Sequence, residues 1–344
     1  MGSTMNRRLV LQSRPEGAVT DDSFRVEVVE VPTLGVGQIL VRNLWLAFEP
    51  AQRGWLNDIR SYTPPVAIGA VMRSWGLGQV AASEHGDFPA GSLVHGTVNW
   101  QEWAVLDPGD PKSDLELVPG DVGDPRLILS AAGITGLTAY FGMTEIGRPQ
   151  PGDTVLVTAA AGATGSVAGQ IARLLGAERV IGTAGSEGKR AWVKDVGGFD
   201  DCVDHHDPTV RRLLGEAAPD GYDVVFDNVG GALLDAAIFN VAERGRIALC
   251  GSISTGYAPK KPEIGLHYYQ LLTTRRARME GFLVTDFADR FDEARRKLLV
   301  WAHAGDLHVQ HDELHGLEQA PEGLRRLFEG KNLGKQLLHL ADPE

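Results

Sequence analysis

The residues best suited to chemistry lie in Ala159-Ala160-Ala161-Gly162-Ala163-Thr164-Gly165. An apolar run, residues 154–158, precedes them, and an amphipathic segment with Val167, Ile171, Leu174 and Leu175 on one face follows. Strand, glycine-containing turn and helix in that order can hold the pyrophosphate of a dinucleotide. Gly162 lets the backbone approach the anion, whose charge is stabilised by free N–H groups at the helix start. Gly165 lets the helix pack closely on the strand. Ala160 stands at the first glycine of the usual GxGxxG pattern. On the motif alone a tight, well-packed strand-to-helix turn explains the residues equally well, and the alternating elements around it favour the dinucleotide.

The next apolar run, residues 179–183, ends in Ala184-Gly185-Ser186. An NAD site often places a carboxylate there to bind the ribose 2′-hydroxyl. Small residues leave room for a 2′-phosphate instead, and the cations Lys189 and Arg190 just downstream can pair with it. The reading is therefore NADPH. Glu187 is discordant and must point away, and a solvated lysine at a helix start is the plain alternative for Lys189.

Other chemistries lack their residues. No G-x-S-x-G elbow and no Gly-Lys-Ser/Thr phosphate loop are present. Cys202 and Cys250, the two cysteines, cannot build a four-Cys zinc site, and both are expected within strands of the cofactor domain. His205 and His206, with His303, His308, His311 and His315 in a polar C-terminal segment, read as solvated, so no metal site is expected. A net charge of -12 argues against nucleic acid as the main partner. The short cluster Arg275, Arg276 and Arg278 reads as a helix end or an anionic-ligand contact. No signal-like or membrane-spanning apolar run occurs, so the expected location is cytoplasmic, with no membrane partner.

These residues need a scaffold. At 344 residues, two domains are expected. The first part, to about Pro125, alternates short apolar runs with Gly and Pro and predicts a barrel-like β unit. From Leu127 a helical stretch (127–144) leads into regular alternation of buried-type strands (154–159, 179–183, 222–227, 246–251) with helices (166–175, 189–196, 231–241). A strand at 279–284 and a long helix at 286–304 follow. That texture predicts an α/β fold with a parallel sheet covered on both faces. A helix near 321–328 and a strand at 336–340 return the tail to the first domain.

With these pieces laid out, the chain resembles the zinc-independent medium-chain dehydrogenase/reductases, in particular the prostaglandin and leukotriene reductases, the plant alkenal double-bond reductases and the bacterial curcumin-reductase-like proteins. The resemblance runs from about residue 9 to residue 340. It is carried by Leu44-Trp45-Leu46, Leu137-Thr138-Ala139-Tyr140-Phe141-Gly142, residues 159–171, Phe226-Asp227-Asn228-Val229-Gly230-Gly231, Cys250-Gly251-Ser252-Ile253-Ser254 and Asn332-Leu333-Gly334-Lys335. Ser61-Tyr62-Thr63-Pro64-Pro65-Val66 looks most like the bacterial branch.

The resemblance implies a GroES-like β-rich domain (1–126 with 315–344), a Rossmann doubly wound parallel sheet (127–314), and an active site in the cleft. It implies NADPH contacts at Gly162, Ala163, Thr164, Gly165, Gly185, Ser186, Lys189, His205, Asn228, Cys250, Gly251, Ser252, Ile253, Ser254, Tyr257, Phe282, Leu283, Val284 and Asn332. It implies homodimers, and reduction of the carbon–carbon double bond of hydrophobic enones or enals. Three departures stand out. His205 replaces a tyrosine near the 2′-phosphate ribose. Gly256 lengthens the Ile253-Ser254-Thr255-Gly256-Tyr257 turn by one residue. Glu49-Pro50 replaces the usual Asp-Pro.

In such a reduction, hydride reaches the β-carbon, charge develops on the carbonyl oxygen, and a proton reaches the α-carbon from water or a phenol. Tyr257 and Tyr62 are the candidate phenols for stabilising that oxygen or delivering the proton. Trp45, Tyr62, Trp100, Tyr257, Tyr268 and Tyr269 are the candidate pocket lining, with core packing the competing reading for the tryptophans. A quinone or carbonyl reductase on the same scaffold, or a non-catalytic NADPH-binding protein, would use the same cofactor residues.

Overall fold

A computed structural model describes residues 4–59, 61–257 and 265–344. The chain divides into two compact units, residues 1–129 with 256–259 and 311–344, and residues 130–255 with 260–310. In the first unit, short β-rich runs cut by turn residues form β1 (Met5–Leu11), β2 (Phe24–Glu30), β3 (Ile39–Ala47), β4 (Trp75–Ser83), β5 (Leu93–Thr97), β6 (Trp103–Leu106) and β7 (Glu116–Leu117). β1 and β2 pair with each other, antiparallel, while β3 pairs with β4 and β6, and β5 joins β4 to β7. The short helix α1 (Ala51–Trp55) follows β3.

The second unit opens with α2 (Ile134–Phe141), followed by β8 (Thr154–Val157), α3 (Ala163–Leu174), β9 (Arg179–Ala184), α4 (Glu187–Asp195), β10 (Asp201–Asp204) and α5 (Val210–Ala217). It continues with β11 (Tyr222–Asp227), α6 (Gly231–Phe239), β12 (Val241–Leu249), α7 (Gln270–Thr274), β13 (Arg278–Gly281) and α8 (Phe291–Ala304). Its strands form one parallel sheet in the order β10-β9-β8-β11-β12-β13. Val155, Leu156, Val157, Val224, Val225 and Phe226 are all fully buried, because both faces of the central strands are covered. The strand order reverses between β8 and β11, and such a switch point is where doubly wound sheets bind ligands.

The tail adds β14 (His311–His315), α9 (Ala320–Phe328) and β15 (Lys335–His339) to the first unit. β15 pairs antiparallel with β3, and β14 lies parallel to β15 at one end of the seven-stranded sheet.

Several expectations change. The stretch 127–144 is not one helix: a 3₁₀ turn (Pro125–Leu129), α2 and a wider π-type turn (Gly142–Gly147) divide it. A buried segment is apolar throughout, so its pattern does not mark the break, which Gly136 makes possible by lying against the Ala131 carbonyl. The helix expected at 286–304 begins at Phe291, after a 3₁₀ segment bent at Phe287, whose ring stacks on Phe141 at 4.8 Å. α5 and β14 have no counterpart among the expected elements, and β10 was expected only as a strand holding Cys202. His311 and His315 have the spacing that pairs two imidazoles on a helix, but in a strand four residues span about 13 Å. Cys202 lies in β10 as expected, whereas Cys250 is one residue past β12.

In the first unit a buried ion pair joins the end of β3 to β15. The Lys335 side chain is 1% exposed and meets the Glu49 carboxylate, 8% exposed, while its Nζ also donates to the Phe48 carbonyl at 3.3 Å. Burial raises the Glu49 pKa against the attraction of Lys335. Lys335→Met leaves that carboxylate buried without its cation and should cost about 3–5 kcal/mol. The double variant Glu49→Leu/Lys335→Met should recover most of it. Urea unfolding followed by tryptophan fluorescence measures both, and a near-neutral single variant would refute the pair's role.

Candidate cofactor site and phenols

The site in the second unit begins at the close of β8. Ala159 adopts a left-handed conformation (φ 51°), at a cost of roughly 1–2 kcal/mol for a residue with a Cβ. The reversal thus falls one residue before the position expected of the motif's first glycine. Ala160 instead is fully buried, and its methyl fills the space over Gly182, where a Cβ would lie 2.6 Å from it. A Cβ on Gly165 would sit 2.3 Å from the Ala159 carbonyl oxygen, so only glycine lets α3 approach the turn this closely. Gly162 caps α3 with no side-chain acceptor, and a Cβ there would meet the Ala159 carbonyl oxygen at 3.2 Å. The helix therefore presents Ala163, Thr164 and Gly165 with a positive dipole end and no capping side chain. This arrangement suits an anion.

The ends of β11 and β12 are clasped to it. The Thr158 hydroxyl donates to Asp227 Oδ1 at 2.8 Å and accepts the Asn228 N–H at 2.8 Å. Asn228 Nδ2 donates to the Thr158 carbonyl at 2.7 Å. Asp227 is fully buried and also receives N–H groups of Val229 (3.3 Å) and Gly230 (2.9 Å). Burial still raises its pKa, against those hydrogen bonds. Its backbone carbonyl takes the N–H groups of Cys250 (2.9 Å) and Gly251 (3.1 Å), and Ile253 and Ser254 donate to Asn228 and Val229. Burial pushes the Cys250 thiol up to about 12. The structure thus brings Gly162, Ala163, Thr164, Gly165, Asn228, Cys250, Gly251, Ser252, Ile253 and Ser254 to one edge of the sheet.

A second group gathers at the ends of β9 and β10. The turn is joined to β9 by Ala160 N–H donating to the Thr183 carbonyl at 2.9 Å. Ser186 caps α4 by accepting the Lys189 N–H, and Glu187 lies exposed in the first turn, where its charge favours the helix start. Arg190 is tied into the fold through Nη1, which pairs with Asp204 at 2.7 Å and donates to the Gly185 carbonyl at 3.2 Å. Lys189 stands in the first turn of the same helix, with its N–H on the Ser186 hydroxyl. His205 and His206 lie over Gly185, where a Cβ would be 3.0 Å and 2.5 Å from their Nε2 atoms. His205 is partly buried rather than solvated, and its Nδ1 is buried with no hydrogen-bond partner among the described residues. Burial lowers its pKa, aided by His206 and opposed by Asp204. His311 is likewise partly buried and shifted downward by burial.

Phe282, Leu283 and Val284 leave the carboxyl end of β13, and the Phe282 ring tip packs against Gly142. Tyr62, Tyr257 and Asn332 belong to the first unit. Asn332 is buried, and its Nδ2 donates to the Gly334 carbonyl at 2.9 Å. Tyr62 is 63% exposed. Tyr257 has a left-handed backbone (φ 48°), directly after the left-handed Gly256 (φ 64°). Asn57 Nδ2 donates to its carbonyl at 2.7 Å, and its ring lies 6.3 Å from that of Phe328.

Of the expected pocket aromatics, the tryptophans are core. Trp100 is fully buried against Phe24 and Phe48, and Trp45 packs on His339. Tyr268 packs beside Phe239 and Arg211, and Tyr269 is exposed.

Two family models match the chain, one described as the N-terminal domain of oxidoreductase (residues 7–113) and one as zinc-binding dehydrogenase (residues 163–299). The NADPH-dependent curcumin reductase of Escherichia coli (strain K12) is 37% identical over 340 residues, 98% of this chain and 97% of that protein. The 2-alkenal reductase (NADP(+)-dependent) of Nicotiana tabacum is 34% identical over 349 residues, 98% of each. The crystal structure of CurA in complex with NADPH from Vibrio vulnificus, 37% identical, matches 98% of this chain and 100% of that one with a TM-score of 0.91. The chain belongs to the zinc-independent medium-chain dehydrogenase/reductase family.

Within this family fold, the clasp residues Thr158 and Asp227 and the Arg190–Asp204 pair were missed as parts of the site. A hydroxyl and a carboxylate closing two apolar strands were the available signal, but only strand pairing joins residues 69 apart. Thr158→Val keeps the side chain's shape, removes a donor from Asp227 and leaves the Asn228 N–H unpaired. It should lower stability by about 1–3 kcal/mol, and Thr158→Ser should restore it. Thermal unfolding of the three proteins provides the comparison, and equal stability would show the clasp to be dispensable.

Proposed function

We propose that this protein is an NADPH-dependent reductase of the carbon–carbon double bond of α,β-unsaturated ketones or aldehydes. The observation that carries this reading is the side-chain-free amino end of α3 over Gly162, beside Lys189 at the small-residue end of β9. The first can hold a pyrophosphate, and the second leaves room and charge for a 2′-phosphate. Relatives named as curcumin and 2-alkenal reductases, alike over nearly the whole chain, support the substrate class. The exposed edge of β13 gives a second copy of the chain a strand to pair with, in keeping with a homodimer.

Gly162, Ala163, Thr164 and Gly165 hold the pyrophosphate, Gly185, Ser186, Lys189 and His205 the 2′-phosphate end, and Asn228 with residues 250–254 the inner end. When bound, NADPH supplies the hydride. The chain's own part is to orient the substrate and stabilise charge on its carbonyl oxygen. Tyr257 is the phenol assigned to that oxygen, and Tyr62 is the second candidate. Two consecutive left-handed residues, one carrying a side chain, store strain of a kind that collects at functional sites.

Lys189→Ala should cost about 1.5–3 kcal/mol in NADPH binding, roughly ten- to a hundredfold, and leave NADH nearly untouched. Equal losses for the two cofactors in fluorescence titrations would remove the assignment. Tyr257→Phe should lower turnover of an enone about tenfold, less than the hundredfold of an enclosed oxyanion site, because water replaces part of the phenol's role. NADPH affinity should hold. A wild-type rate in Tyr257→Phe with a large loss in Tyr62→Phe would transfer the role to Tyr62.

A further inference from the structure

We propose that His315 and His339 form a binding site for a divalent transition-metal ion at the outer end of the first unit's sheet. The two residues are 24 apart in the chain but face each other in the parallel register of β14 with β15. Their Nδ1 atoms are 3.3 Å apart. Two imidazole nitrogens bound to one tetrahedral zinc, each at about 2.0–2.1 Å, lie roughly 3.3–3.4 Å from each other. The pair therefore stands at chelating separation, on residues that the strand register sets opposite each other.

The protonation pattern fits as well. His339 Nε2 is 3.1 Å from Asp342 Oδ1, so Nε2 carries the proton and donates to the carboxylate. That leaves the His339 Nδ1 lone pair directed at His315. A carboxylate behind a ligating histidine fixes the tautomer and makes the imidazole a better ligand. His339 is held further by Trp45, whose ring centroid is 5.0 Å away. His315 is exposed, and without metal its Nδ1–H donates to His339. When a metal ion takes the place of that hydrogen bond, the His315 proton moves to Nε2, which faces water, and both rings stay neutral.

Two imidazoles with water completing the shell favour Cu²⁺, Ni²⁺ or Zn²⁺ over Mg²⁺ or Ca²⁺. β14 lies at the end of the sheet next to β15, so the ion would staple an outer strand to its neighbour. A ligand that binds only the folded chain raises its stability. Neither histidine is among the residues assigned to cofactor or substrate, so the site acts on stability and not on hydride transfer.

The test uses untagged protein stripped with a chelator and titrated calorimetrically with CuSO₄, NiCl₂ and ZnCl₂. One ion per chain is expected, with Cu²⁺ the tightest. His315→Ala and His339→Ala should each weaken binding at least about tenfold, and Asp342→Asn about tenfold as an outer partner. Melting temperature should rise with metal in the wild type and stay fixed in His315→Gln, which retains a hydrogen-bonding side chain and shows whether the fold itself is intact. No one-to-one binding, or binding and melting shifts unchanged in the His315 variants, would overturn the site. Unchanged affinity in Asp342→Asn would overturn the carboxylate's part in it.

Discussion

A carboxylate buried among apolar strands must be neutralised or surrounded by donors, and Asp227 shows how the second unit is built around that requirement. One hydroxyl, from Thr158, and two backbone N–H groups, from Val229 and Gly230, surround its side chain. Its own carbonyl takes two more N–H groups from the chain leaving β12. The result is that β8, β11 and β12 end together, at the point where the strand order reverses. The glycine contact between α3 and the Ala159 carbonyl then sets the helix's amino end over that floor. Preorganisation of this kind lets backbone N–H groups wait for an anion without rearranging to meet it.

The charge logic differs between the two ends of the cofactor site. A protein of net charge -12 does not attract phosphate as a whole, so recognition must be local. At the amino end of α3 the helix dipole offers it. At the end of β9, Arg190 ties β10 to the turn after β9 through Asp204 and the Gly185 carbonyl. Two imidazoles lie over Gly185 there, and burial, with His206, lowers the His205 pKa against Asp204.

The first unit places its polar groups with similar economy. Lys335 and Glu49 are buried together and fix β15 to the segment after β3, next to α1. Arg53 of α1 donates to Asn57 Oδ1, and Asn57 Nδ2 in turn holds the carbonyl of the strained Tyr257. The tail thus organises a surface that chain order alone would assign to three distant segments.

Much of this could be read in the sequence. Alternation of apolar runs with helical periodicity gave the parallel sheet, because buried strands and amphipathic helices leave patterns within ten residues. The Gly162–Gly165 spacing and the small residues at the end of β9 made the candidate cofactor site legible for the same reason: each depends on local backbone and side-chain size. The sequence by itself did not decide that Arg190 pairs with Asp204, that Trp45 and Trp100 are core, or that Thr158 meets Asp227. Nor could it show that His315, four residues from His311, faces His339 instead. Those outcomes depend on strand register, which joins residues tens of positions apart, and on burial, which is a property of the packed whole. Tertiary structure decided them because hydrogen bonds and ion pairs follow distance in space, to which distance along the chain is a guide only inside a single turn of helix or strand.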